Sequence, residues 1–335
     1  MTTGISKRTF MAGLAASGLV PATALANGAR RGTLSHPQAS ARAKSLYRYL
    51  NDIWGRHTLT GQQESMWGRG TRYELDYIQA LTGKQPAVLG LDYIDPPRRS
   101  SVNDRASAWY NDGGIATICW HWGNPMAGPG YESSKTYFNA IAALKDGTPE
   151  NRALMSDMDD IAYYLGRLRD QDIPVLWRPF HEFTGDWFWW GKLGPKVFKA
   201  LWVKMYDYFC HEKGLNNLIW VLGYTKDASR DWFPGLDYVD IIGADDYVKD
   251  RGPMKDMYDR VHAITGDALP ITLHECGPIP DPAQLQASGA HWLWFLVWHT
   301  DFIHDGKTNP ADWIKTVYAS DWYLKRDQLP DLKTY

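Results

Sequence analysis

The chain has 335 residues, 44% hydrophobic and 22% charged, which is enough apolar material for one large α/β domain or two ordinary ones. With 36 Lys and Arg against 38 Asp and Glu and no long run of one sign, the charge balance offers nothing to nucleic acid, to a membrane surface or to a particular protein partner. Seventeen Trp stand out, because flat indoles suit either a Trp-rich core or the stacking of pyranose rings, whose C–H faces pack on aromatics while their hydroxyls bond around the rim.

Lys7-Arg8, the apolar run Phe10 to Val20 and the small-x-small triplet Ala24-Leu25-Ala26 read as an export signal over residues 1–26. Ser6-Lys7-Arg8-Thr9-Phe10-Met11 resembles a twin-arginine signal with Lys in the first Arg position, so the protein is expected in a periplasm or outside the cell. Residues 27–36 read as a short linker. No later stretch reaches the roughly 18 to 20 apolar residues that span a bilayer. Cys119, Cys210 and Cys276 lack metal-type spacing and read as small buried hydrophobes.

From there on, short runs of β-formers alternate with segments of helical period. Eight runs are expected as strands: His57–Gln63, Ala87–Ile94, Gly114–Trp122, Pro174–Glu182, Leu218–Tyr224, Val239–Tyr247, Leu269–Gly277 and His291–Thr300. Helices are plainest over Asn151–Asp170, with Leu154, Met158, Ile161, Leu165 and Leu168 on one face, and over Pro195–Lys213, with Val197, Leu201, Met205 and Phe209. Ser156-x-x-Asp159 and Gly194-Pro195 carry capping chemistry. Eight strand-helix units predict a single α/β domain over residues 37–335, a closed (β/α)8 TIM barrel, rather than an open doubly wound sheet, for which a Gly-rich βα turn is missing. The stretch Gly123–Pro149 reads as a long, Gly- and Pro-rich loop of the kind that serves a site.

In such a barrel the site lies at the C-terminal strand ends. Those ends hold Gln62, Gln63, Asp92, Tyr93, Trp120, His121, Arg178, His181, Glu182, Tyr224, Asp245, Asp246, Tyr247, His274, Glu275, Trp298 and His299, polar and aromatic residues that a strand does not need for stability. The fourth and seventh runs both finish in His-Glu, at His181-Glu182 and His274-Glu275, while the same dipeptide at His211-Glu212 reads as solvated surface. Opposed glutamates suit retaining glycoside hydrolysis, in which one acid protonates the leaving oxygen and the other attacks the anomeric carbon. The acid needs burial against aromatics, and Trp187, Trp189 and Trp190 follow Glu182, with one of the latter two expected in the core and one in the cleft. The nucleophile needs donors, for which Tyr247 and Arg178 are candidates. No ligand spacing such as H-E-x-x-H occurs, so no metal and no cofactor is called for.

Trp177-Arg178-Pro179-Phe180-His181-Glu182-Phe183-Thr184-Gly185-Asp186-Trp187-Phe188-Trp189-Trp190-Gly191, Trp120-His121-Trp122-Gly123-Asn124-Pro125 and Val239-Asp240-Ile241-Ile242-Gly243-Ala244-Asp245-Asp246-Tyr247 resemble motifs of glycoside hydrolase family 26, a group of (β/α)8 enzymes that are chiefly endo-β-1,4-mannanases. The resemblance implies Glu182 as acid/base, Glu275 as nucleophile, His181 and Tyr247 orienting sugar and nucleophile, and His121, Trp187, Asp245 and Trp298 lining the subsites beside the scissile bond. The expected partner is a β-mannan polysaccharide. The alternatives are the same chemistry on β-1,3/1,4-glucan or β-1,3-xylan, and a non-catalytic carbohydrate-binding barrel.

Overall fold

The computed structural model describes residues 32–335 apart from Trp67; the expected signal and the first half of the expected linker lie outside the described residues. Eight parallel strands close into a barrel: β1 (Gly61–Gln63), β2 (Val88–Asp92), β3 (Ile115–Cys119), β4 (Val175–Arg178), β5 (Leu218–Tyr224), β6 (Ile241–Asp246), β7 (Ile271–Cys276) and β8 (Phe295–Val297), with β8 pairing β1 through Gln62 and Val297. The (β/α)8 expectation holds, and each strand falls inside its expected run. Apart from β5, which fills its run, the observed strands are shorter because the run ends leave the ladder to become the rims of the barrel. Pro179–Glu182 and Trp298–Thr300 are such departures. Val88–Asp92 and Ile115–Cys119 are buried at every position, as strands covered on both faces must be.

The helix over Ala41–Ile53 closes the N-terminal end. Ser40 caps it, the Ser40 N–H donates to the Asn216 carbonyl at 2.7 Å, and the Tyr47 hydroxyl donates to the Asp240 carbonyl at 2.9 Å, just before β5 and β6 begin. A two-residue parallel pair, Thr58–Leu59 with Tyr323–Leu324, ties the C-terminal segment to the same end.

Two helix boundaries differ from expectation. The first long helix is Pro149–Asp170, started by Thr148, whose side chain accepts from the Asn151 N–H, with Pro149 in the first turn; Ser156 and Asp159 lie mid-helix and cap nothing. The second is Gly194–Asp207, followed by a wider turn over Tyr208–Glu212. The stretch expected as one loop after β3 carries two single helical turns, Tyr131–Ser134 and Ala140–Ala143. Its residues Asn124 and Ser133 hold it by hydrogen bonds that no periodicity encodes. All three cysteines are buried and free, and no helix among the described residues is long and apolar enough to cross a membrane.

The ladder is irregular where it meets the site. A register shift between Ala244 and Asp245 against β7 brings Asp245 opposite Glu275, and a second shift lies between Leu273 and Cys276 against β8. Bulges re-aim side chains in this way at barrel rims. Inside the barrel His274 fills space left by two glycines: a Cβ on Gly223 would stand 2.9 Å from its Nδ1, and one on Gly243 3.0 Å from its Cε1.

Candidate active site

Glu182 sits just past β4 with its backbone in the left-handed region at φ +54°, as does Phe180 at +51° and Asp186 at +62°. Non-glycine residues avoid this region, at a cost of about 1–3 kcal/mol each, and persist there when surrounding structure over-determines them. Here the Glu182 N–H donates to the Gly223 carbonyl of β5 at 3.0 Å, and the Gly185 N–H returns to the Glu182 carbonyl at 2.9 Å. The turn lifts Glu182 out of the ladder and into a cavity of about 990 Å³ at the C-terminal mouth.

Glu182 Oε2 accepts from Trp187 Nε1 at 2.8 Å. Burial, and then the neighbouring Glu275 charge, raise the Glu182 carboxyl to about 7, against the Trp187 hydrogen bond, which pulls it down. At neutral pH much of it keeps its proton.

Glu275, near the end of β7, meets donors instead. Arg178 Nη2 donates to its Oε1 and the Tyr247 hydroxyl to its Oε2, the latter at 2.8 Å. Both of its carboxylate oxygens are thus met by donors from the protein. Arg178 also donates Nη1 to Asp245 Oδ2 at 2.9 Å and Oδ1 at 3.2 Å, so one guanidinium spans two carboxylates. Burial alone would disfavour the Arg178 charge; Asp245 and Glu275 more than reverse that. One carboxylate oxygen of each of Glu182, Asp245 and Glu275 lies within 4.8 Å of the others. That group, and Asp92 with Cys119 and His121, are the clusters among the described residues that could hold a metal ion by geometry. In the first, Arg178 already supplies the positive charge; in the second, His121 Nδ1 lies 2.5 Å from Asp92 Oδ2.

A histidine pair lies behind the glutamates. His121 Nε2 is 3.0 Å from His181 Nε2. Burial would strip a proton from His121, but Asp92 outweighs it and raises its pKa. Burial, then His121, push His181 well below its usual value. The pair therefore runs from Asp92 to a donating His121 to an accepting His181.

The structure brings Glu182, Glu275, His121, Tyr247 and Trp298 into one cavity lining. His181, Arg178 and Asp245 lie beneath it, buried, and Trp187 stands beside Glu182 rather than in the lining. Asp245 is not in this lining but beneath it: the register shift turns it onto Arg178. Trp189 and Trp190 are both core, which corrects the expectation that one would face the cleft; their indole N–H groups donate to the carbonyls of Trp122 and His181. Gln62 is a strut, its Nε2 donating to the carbonyls of Val297 and Trp298 and holding Trp298 in place. His211 and Glu212 are exposed, as expected.

Tyr131 and Phe188 line the cavity and were not anticipated, nor were Lys249, Arg251 and Lys307. Phe188 sits within the quoted Trp-rich motif, but Tyr131 lies on a short helical turn whose position only folding decides. His121, Tyr131, Phe188 and Trp298 form an aromatic band, with His121 5.6 Å from Tyr131 and from Phe188 and 5.9 Å from Trp298 between ring centres.

Residues 35–328 match the family model of Glycosyl hydrolase family 26. The "Mannan endo-1,4-beta-mannosidase" of Thermothelomyces thermophilus is 40% identical over 314 residues, covering 89% of this chain and 63% of that protein, so the chain spans less than two thirds of that relative's length. Among solved structures, the Podospora anserina GH26-CBM35 β-(1,4)-mannanase superposes with a TM-score of 0.83 at 34% identity, over 91% of this chain and 70% of that one. A β-mannanase from a symbiotic protist of the termite Reticulitermes speratus, complexed with gluco-manno-oligosaccharide, also gives 0.83, at 32% identity over 90% and 98%.

Proposed function

The chain belongs to glycosyl hydrolase family 26, and on that footing we propose that it is an endo-acting β-1,4-mannanase working by retention through a covalent glycosyl-enzyme. The observation that carries the mechanism is the pair of facing glutamates with opposite surroundings, Glu182 poised near pH 7 and Glu275 held by Arg178 and Tyr247. Their oxygens lie within 4.8 Å, in keeping with the roughly 5–5.5 Å between carboxyl groups of retaining enzymes and short of the roughly 6.5–9.5 Å that leaves room for an inverting water.

In the first half-reaction Glu275 attacks the anomeric carbon as the glycosidic C–O bond breaks, and the Glu182 proton passes to the leaving oxygen. Ester formation removes the Glu275 charge. That charge is the second-largest cause raising Glu182, so its pKa falls at the moment it must become a base. Glu182 then takes a proton from water, which attacks the same carbon and releases Glu275. The aromatic band of His121, Tyr131, Phe188 and Trp298 offers stacking faces to the sugar rings.

The names of the similar proteins support mannan as the substrate. The test assays new reducing ends from β-mannan, β-1,3/1,4-glucan and β-1,3-xylan with the purified protein. Release from mannan with the anomeric configuration kept is the expected result. Release from another polymer instead would move the substrate and keep the glutamates. Binding without release from any would replace the enzyme by a carbohydrate-binding barrel. We propose export as well, through the signal in residues 1–26; N-terminal sequencing of protein recovered outside the cytoplasm checks it, with a start near residue 27 expected.

A further inference from the structure

One wall of the cavity differs from the rest. Lys249 and Arg251, from the loop after β6, and Lys307, beyond β8, line the same cavity as the two glutamates. The acids of that lining are already met: Asp92 by His121, Glu182 by Trp187, and Glu275 by Arg178 and Tyr247. The acids next along the chain are turned onto backbone. Asp250 Oδ1 accepts from the Gly252 N–H at 2.9 Å, and Asp305 Oδ1 from the N–H groups of Lys307 and Thr308, both at 2.8 Å. Among the described residues, no ion pair within 4.0 Å involves Lys249, Arg251 or Lys307, although Asp305 feels the Lys307 charge.

Arg251 is held ready. Its guanidinium lies 5.0 Å from the Trp313 ring centre and donates Nη2 to the Thr308 carbonyl at 3.3 Å, while its own carbonyl accepts from the Asp281 N–H at 2.8 Å. An ordered guanidinium loses little freedom on binding, and its planar fork matches a carboxylate. Like charges gathered on one wall of a cleft raise the local potential and draw an anion. The wall is continuous with the glutamates, so an anion seated there belongs to the polymer being cut. We propose that Lys249, Arg251 and Lys307 form an anion-accepting subsite, and that the polysaccharide taken by this site carries carboxylate groups on uronic-acid units near the scissile bond. This rests on the glycosidase reading above and adds the substrate's charge to it.

The test compares neutral β-mannan with the same mannan after partial oxidation of its C6 hydroxymethyl groups to carboxylates, using the full-length protein. The deciding quantity is the ratio of kcat/KM on the oxidised polymer to that on the neutral one. In the Lys249→Ala/Lys307→Ala double variant this ratio is expected to fall roughly fivefold, mainly through KM. In the unmodified protein it is expected to fall as salt is raised to about 0.5 M, because exposed charges are screened. An unchanged ratio in the variant and across salt would overturn the anion subsite. Equal losses on both polymers would overturn it too, assigning the cations to neutral hydroxyls. Absence of cleavage of either polymer strikes the glycosidase reading instead. Equilibrium binding then decides: tighter, salt-sensitive binding of an oxidised manno-oligosaccharide over a neutral one keeps the subsite, and equal binding removes it.

Discussion

The ends of β4 and β7 carry the same dipeptide and treat it in opposite ways. His181-Glu182 has left the ladder, with Glu182 at φ +54° among aromatic side chains, and His181 faces His121. His274-Glu275 stays within the strand, with Glu275 facing Arg178 and Tyr247 while His274 fills the barrel interior beside Gly223 and Gly243. One glutamate is raised to about 7 by burial, and the other is supplied with donors. His211-Glu212, the third copy, is exposed and serves neither role. The chemistry of a carboxyl group is assigned by what surrounds it, and the barrel supplies two different surroundings a few ångströms apart.

Substitutions can break this contrast. Removing the proposed nucleophile has the largest expected effect: Glu275→Ala should lower kcat by about 10³-fold or more, with no glycosyl-enzyme visible by intact mass. A near-normal rate would refute its role. Glu182→Gln should lower turnover of mannan by about 10²–10⁴-fold, and that of aryl glycosides with good leaving groups far less; equal losses on both would count against an acid. Asp245→Ala leaves Arg178 buried with half its charge partners, and chemical denaturation should show about 3 kcal/mol lost. A variant as stable as the parent would show that Asp245 does not anchor the guanidinium.

Two milder changes sharpen the contrast. Tyr247→Phe takes away one donor to Glu275 and should cost about 10- to 100-fold in kcat/KM, the worth of a hydrogen bond to a charged group. The pH profile tests the other side. A general acid must hold its proton, so activity should fall as pH rises through about 7, where Glu182 ionises. Trp187→Phe deletes the hydrogen bond that pulls this pKa down, so the alkaline limb should move to higher pH. A limb that stays put would show that the limb belongs to another group.

Much of this was legible in the chain. Strand runs and helix faces are local patterns of period 2 and 3.6, so eight units and a barrel followed from reading Leu154, Met158, Ile161 and their like in order. The polar strand ends pointed to Glu182, Glu275, His121, Tyr247 and Trp298 because a strand has no structural use for them. What was not legible depends on contacts across the barrel. Arg178 meets Asp245 67 residues away and Glu275 97 residues away, and a one-residue register shift at Asp245 turns it onto Arg178. Trp189 and Trp190 look alike beside Trp187 in the chain, yet both are buried, their indole N–H groups met by the carbonyls of Trp122 and His181. The cationic wall of Lys249, Arg251 and Lys307 joins two loops separated by more than fifty residues. By itself the sequence determined the barrel and singled out Glu182 and Glu275, since periodicity and strand-end polarity are properties of neighbours in the chain; only the tertiary structure decided the surroundings of each glutamate, because burial and long-range donors exist only after the barrel closes.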